Sequence, residues 1–145
     1  MKYKKEASAG GIIFKKEGDQ IFWLIIQHSQ HKGWVFPKGL VGDNVKNEPR
    51  EKAALREVKE EGGIEAKILV DEPIEIHYKY RFKEFLIYKT VYYFLMEYLS
   101  GDPKDHDREA SEAKFMETEE IKKILTYKSD QEAFDKALAA FGKLQ

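Results

Sequence analysis

The segment from Glu48 to Ile64, EPREKAALREVKEEGGI, marks both of its own ends. Proline is tolerated in the first turn of a helix, where its missing N–H would have had no partner, and the pair Gly62-Gly63 supplies the left-handed residue on which helices stop. The segment therefore predicts a helix from about Glu48 or Pro49 to Glu61. Ala54, Leu55 and Val58 give it a narrow apolar patch that can lie against a sheet, and the rest of its surface is charged. Glu57, Glu60 and Glu61 stand at i, i+3 and i+4, so three carboxylates project from one face. Arg56 can pair with Glu60 at i+4. Glu57 and Glu61 repel, however, and acids at a helix C-terminus oppose the macrodipole. Each unfavourable contribution is ~0.3 kcal/mol when exposed, which a solvated outer face tolerates.

The flanking sequence reads as strands. EASAGGIIF and IFWLIIQH are joined by KKEGDQ, whose glycine and aspartate make a turn. Ile21 to Ile26 is a continuous apolar run, the pattern of a strand buried on both faces. A short aromatic strand in GWVFP ends at Pro37, and KGLVGDNVKN reads as loop. After the helix, AKILVD, IEIHYKY and KEFLIYKTVYYFLMEYL are rich in β-branched and aromatic residues and predict three more strands. SGDPKDHDRE is a polar loop, and AKFM is a brief strand before Thr118, an expected N-cap for EEIKKIL. A last helix is expected to open at Ser129, where SDQE fits the capping-box pattern, with Phe134, Ala137, Leu138 and Phe141 as its core stripe. The order β-β-β-α-β-β-β-β-α-α is that of an α+β fold, with helices packed on a mixed, mostly antiparallel sheet.

Length and charge narrow the function. A chain of 145 residues is enough for one full hydrophobic core, and 42% hydrophobic with 35% charged residues is a globular composition. The net charge of −1 gives no global basic field, so no nucleic-acid partner is expected and any phosphate recognition must be local. With no cysteine, thiolate metal sites and a cysteine nucleophile are excluded. No signal peptide, membrane span or internal repeat is evident, and a cytoplasmic location is expected.

The acidic face belongs to a longer pattern. From Gly42 the chain runs glycine, five residues, Glu48, seven residues, Arg56-Glu57, Val58, one residue, Glu60-Glu61, one residue, Gly63 and Ile64. This 23-residue stretch resembles the Nudix box, the defining motif of the Nudix hydrolases. The resemblance implies one Nudix domain over residues 1–145, folded as an α/β/α sandwich, that hydrolyses a nucleoside diphosphate linked to another group. It implies Mg²⁺, with Mn²⁺ as the alternative, held by Glu57 and Glu61 with Glu60 assisting. Arg56 would orient the carboxylates, and Glu48 would support them. Glu109 is the expected further metal contact, and the general base would be either one of the helix glutamates or a carboxylate from a later loop, where Glu109 is the candidate and Glu112 the next. A shared cation is also the counter-charge that the glutamates lack, and without it one or more should have a raised pKa.

GWVFPKG, SAGGIIF and IHYKY resemble the diadenosine tetraphosphate (dinucleoside polyphosphate) hydrolase type within the family. By that resemblance Lys38 and Lys79 contact phosphates, and Tyr78 or Tyr80 offers a ring for the base. Either Gly39 or Gly42 fills the box glycine position. Gly39 is preferred because a turn approaching phosphate should directly follow the aromatic strand and its lysine, and the Lys38 carbonyl would then help hold metal. The implied activity is cleavage of diadenosine tetraphosphate to ATP and AMP, by a monomer or homodimer whose partner is a nucleotide. The alternatives are an oxidised-nucleotide or RNA 5′-end pyrophosphatase and a non-catalytic nucleotide-sensing module.

Overall fold

A computed structural model describes residues 1–42 and 46–145. Eight strands form one sheet: β1 (Lys2–Glu17), β2 (Gln20–His28), β3 (Trp34–Val35), β4 (Lys38–Leu40), β5 (Ile64–Ile68), β6 (Ile74–Phe82), β7 (Phe85–Gly101) and β8 (Ala110–Glu117). The helices are α1 (Arg50–Gly62), α2 (Thr118–Ile124) and α3 (Lys128–Lys143), with a 3-10 turn at Pro103–Asp105. The sheet runs β3-β2-β1-β7-β5, with β4 added to β1, β6 to β7 and β8 to β2. β1 and β7 are parallel, Lys2 opposite Phe85 through Phe14 opposite Glu97, and the other pairings are antiparallel.

Strand alternation splits the core in two. Ala9, Ile13, Leu24, Phe94 and Met96 point to one face, where Ala53, Ala54 and Val58 of α1 cover them. Ile12, Phe14, Trp23, Ile25, Tyr93 and Leu95 point to the other, under Ile121 of α2 and Ala133, Phe134 and Ala137 of α3. The result is the expected α/β/α sandwich. Trp23 to Ile26 is buried without a break, because β2 is an inner strand flanked by β1 and β8 and covered on both sides. Edge-to-face aromatic contacts hold α3 down: Trp23 to Phe134 at 5.2 Å between ring centroids and Phe14 to Phe141 at 4.7 Å.

Three local expectations are corrected. Lys38–Leu40, read as loop, forms β4 against Ser8 to Gly10; residues 43–45 of that loop lie outside the described residues. Thr118 does not cap α2, whose N-cap is Glu117, because the Thr118 hydroxyl instead accepts the Trp23 indole N–H at 2.9 Å. α3 opens at Lys128 after Tyr127 with no side-chain cap, so Ser129 lies inside the first turn. No helix among the described residues is long and apolar enough to cross a membrane.

Candidate active site

The C-terminus of α1 is fixed first. Gly63 takes the left-handed conformation at φ 74°, and its N–H donates to the Lys59 carbonyl. The helix then lies with Ala54 and Val58 on the sheet, and the neighbouring positions Glu57 and Glu61 are carried inward to 4% exposure each. They arrive beside β4. The Lys38 N–H donates to Glu61 Oε2 at 3.0 Å, and Gly39 lies so close that a methyl group in its place would overlap the Glu57 carboxylate. Gly39 is thus the glycine on which the acidic face packs, whereas Gly42 sits in an exposed turn at φ 79°.

Arg56 binds this face from behind. Its Nη1 donates to Glu57 Oε1 at 2.7 Å and to Glu60 Oε2 at 3.3 Å, while Nε and Nη2 grip Glu48 in a two-pronged pair at 2.9 Å each. Glu48 is therefore the anchor of the arginine, and the arginine sets the angle of Glu57. Hydrogen bonds that it donates first to Glu48 and then to Glu57 hold the guanidinium more firmly protonated than usual, against the effect of burial. The Glu48 carboxyl is lowered by the same bond.

Glu109 comes from the loop that leads into β8. Its loop is tied to α1 by the Asp107 N–H donating to the Glu60 carbonyl at 2.7 Å, and Asp107 Oδ1 in turn accepts the Glu109 N–H at 3.0 Å. One oxygen each of Glu57, Glu61 and Glu109 falls within 4.8 Å of the others. Burial, with the Glu109 and Glu57 charges, pushes Glu61 up to about 9 despite the Lys38 N–H. Glu57 is pushed up to about 7, again mainly by burial and against the pull of Arg56. Three converging carboxylates, two of them reluctant to ionise alone, form an all-oxygen donor set suited to a hard divalent cation such as Mg²⁺.

Lys38, Gly39, Glu57, Glu60, Glu61, Tyr78 and Glu109 line one cavity of about 450 Å³, and Tyr80 lines an adjoining one of about 630 Å³. Besides Arg56, which backs the cluster, two expected residues stay outside. Glu112 is exposed on β8 and pairs with Lys114 at 3.1 Å. Lys79 alternates to the opposite face of β6 from Tyr78 and Tyr80, and its ammonium lies 5.8 Å from the Tyr88 ring centroid.

Lys89, which sequence reasoning passed over, faces the cavity in the place expected of Lys79. It sits directly across from Tyr78 on β6 and Glu6 on β1, and its Nζ is 3.4 Å from Glu6 Oε1. Burial lowers the Lys89 ammonium against the pull of Glu6. Burial would raise the Glu6 carboxyl, but the Tyr80 hydroxyl, donating at 2.6 Å, and the Lys89 charge hold it below its usual value. A lysine inside the apolar run LIYKTVYYF was the available signal, since a buried cation needs a partner. His28 and His31, stacked at 4.1 Å, also line the carboxylate cavity, and Tyr127 and Asp130 line the adjoining one.

The chain matches the NUDIX domain family model over residues 4–138. A mutator protein, MutT4, of Mycobacterium tuberculosis (strain CDC 1551 / Oshkosh) is 30% identical over 151 residues, covering all of this chain and 59% of that protein. The chain thus spans less than two thirds of the length of this relative. A C. elegans Ap4A hydrolase binary complex superposes with a TM-score of 0.80 at 28% identity, over 97% of this chain and 99% of that one. The NUDIX domain of Shewanella oneidensis NrtR, complexed with ADP ribose, shares the fold at a TM-score of 0.67 and 16% identity, over 97% and 89% of the two chains. A match over residues 4–138, a span that holds every glutamate of the cluster, places the chain in the NUDIX domain family, with a fold similar to that of the Ap4A hydrolase structures.

Proposed function

We propose that the protein is a divalent-metal-dependent pyrophosphohydrolase of dinucleoside polyphosphates, cleaving diadenosine tetraphosphate with water to ATP and AMP. One observation carries this reading: the carboxylate cavity and the tyrosine-walled cavity meet, sharing His31, Val35, Lys38 and Tyr78. The pair offers acid oxygens at one end, aromatic rings at the other and ammonium groups between them. The likeness to Ap4A hydrolase at 28% identity supports the same substrate class.

Each residue has a physical task. Lys38 and Lys89 give a polyphosphate the local positive charge that a net charge of −1 does not supply. Tyr78, Tyr80 and Tyr127 offer faces for a base, and one stack contributes ~1–3 kcal/mol. Glu57 and Glu61, with Glu109 converging on them and Glu60 assisting, would hold Mg²⁺, and Arg56 fixes the acidic face through Glu57 and Glu60. When bound, the cation supplies charge neutralisation at the diphosphate and lowers the pKa of an attacking water. Glu109, exposed on its loop but within reach of the cluster, would accept a proton from the attacking water.

The test is to incubate the purified protein with diadenosine tetraphosphate and Mg²⁺ and to follow ATP and AMP. Equal amounts of the two products support the reading. Silence across a panel of dinucleoside polyphosphates, from folded and metal-saturated protein, removes it. The 30% identity to a mutator protein favours a second reading, pyrophosphate release from modified nucleoside triphosphates. It would show as turnover of those triphosphates with none of the tetraphosphate.

A further inference from the structure

The tyrosine-walled cavity contains one buried acid. Asp130 is 2% exposed and borders the space among Tyr78, Tyr80 and Tyr127. It stands in the first turn of α3, where the helix dipole favours a carboxylate. The hydroxyl of Tyr93, fully buried in the middle of β7, donates to its Oδ1 at 2.9 Å. Among the described residues nothing else hydrogen-bonds this side chain, yet no buried polar side-chain atom is left without a partner. Oδ2 is therefore the part of Asp130 that opens on the cavity.

A carboxylate oxygen so placed only accepts hydrogen bonds. Burial disfavours the ionised form, while the Lys38 charge, the Tyr93 hydroxyl and His31 favour it. With Oδ1 held by Tyr93, Asp130 itself offers the cavity one acceptor and no donor. That pattern fits the exocyclic amino group of adenine. Hypoxanthine turns a carbonyl oxygen toward the acceptor, and the paired N–H donors of guanine call for both carboxylate oxygens.

We propose that Asp130 determines base specificity, its Oδ2 accepting the amino group of an adenine that lies among Tyr78, Tyr80 and Tyr127 and rejecting 6-oxo purines. This rests on the reading that the attached phosphates lie toward the carboxylate cluster. A purely structural Asp130, which only ties α3 to β7 through Tyr93, makes no such distinction between bases.

Binding of ATP and ITP by titration calorimetry in EDTA separates the two without turnover. The native protein is expected to bind ATP about tenfold more tightly than ITP, the effect of one hydrogen bond gained against one acceptor opposed. Asp130→Asn keeps the Tyr93 bond on its carbonyl oxygen and turns an amide donor toward the base, so the preference should vanish or reverse. Equal affinities in the native protein, or an unchanged ratio in a variant that melts cooperatively, would overturn the proposal. Should that variant not fold, Tyr93→Phe serves instead. It frees Oδ1 and should raise GTP affinity relative to ATP, and an unchanged GTP-to-ATP ratio counts against Asp130. Equal kcat/KM for diadenosine and diinosine tetraphosphates with Mg²⁺ removes the Asp130 role and leaves the hydrolase reading intact. Turnover of neither removes the hydrolase reading, while the ATP-to-ITP binding ratio still decides the role of Asp130.

Discussion

Glu61 concentrates the electrostatics of the site in one side chain. Its carboxyl is pushed from 4.5 up to about 9 by burial and by neighbouring acids, and that of Glu57 from 4.5 up to about 7 by burial first. A raised folded pKa means that the folded protein binds more protons than the unfolded chain between the two values, so stability falls as pH rises. Both contributions are complete below about 4.5 and are lost as pH passes about 7 and then about 9. In metal-free buffer, the Tm of the native protein relative to Glu61→Gln should therefore decline steadily from pH 5 to 9, as read by calorimetry. A flat difference would show that Glu61 ionises freely. With Mg²⁺ and diadenosine tetraphosphate, the same variant should lose activity on the order of 100-fold or more, since removing even a supporting group of a metal site costs ~10–100-fold. Arg56→Lys keeps the charge but loses the two-pronged grip on Glu48 while still reaching for Glu57. Its kcat should fall by about 10-fold or more in steady-state assays, with the fold unchanged by circular dichroism.

At the scale of elements, the site is a meeting of α1, β4 and the loop before β8. The closeness of β4 to Glu57 makes Gly39→Ala a sharp test, because the added methyl must displace that carboxylate or part β4 from β1. Mg²⁺ affinity, measured by titration calorimetry, should drop at least tenfold, whereas Gly42→Ala, in an exposed turn, should leave it within about twofold and act only on stability. Much at this scale was legible beforehand. The boundaries of α1, the aromatic strands and the core stripe of α3 follow from local residues, and all reappear in the structure. The misses have physical causes. β4 has three residues, too few to show a period of two. The Thr118 hydroxyl was claimed by Trp23, a residue 95 positions away. Lys79 and Lys89 are both lysines beside aromatics, and only the register of β6 on β7 tells which one faces the cavity.

For the whole molecule, a cation held by Glu57, Glu61 and Glu109 would add to the stability of the fold. A ligand that binds the folded and not the unfolded chain raises Tm by mass action. Mg²⁺ should therefore stabilise the protein, and more strongly at pH 8.5 than at pH 6, because metal competes with protons for Glu57 and Glu61. Calorimetric scans with Mg²⁺ and with EDTA at both pH values check this. An equal shift at the two pH values would mean that the cation binds elsewhere than on the cluster.

The sequence by itself determined α1, its two ends and the convergence of Glu57, Glu60 and Glu61 on one face, because those depend on the 3.6-residue period and on glycine at a left-handed position. It also determined that β2 would be buried on both sides. Tertiary structure decided what stands opposite those elements. The parallel register of β1 on β7 sets Glu6 beside Lys89, the fold brings Glu109 to Glu61, and Tyr93 holds one oxygen of Asp130 and leaves the other to the cavity. Such pairs lie tens of residues apart along the chain. Their contact depends on strand order and register, which no local periodicity encodes.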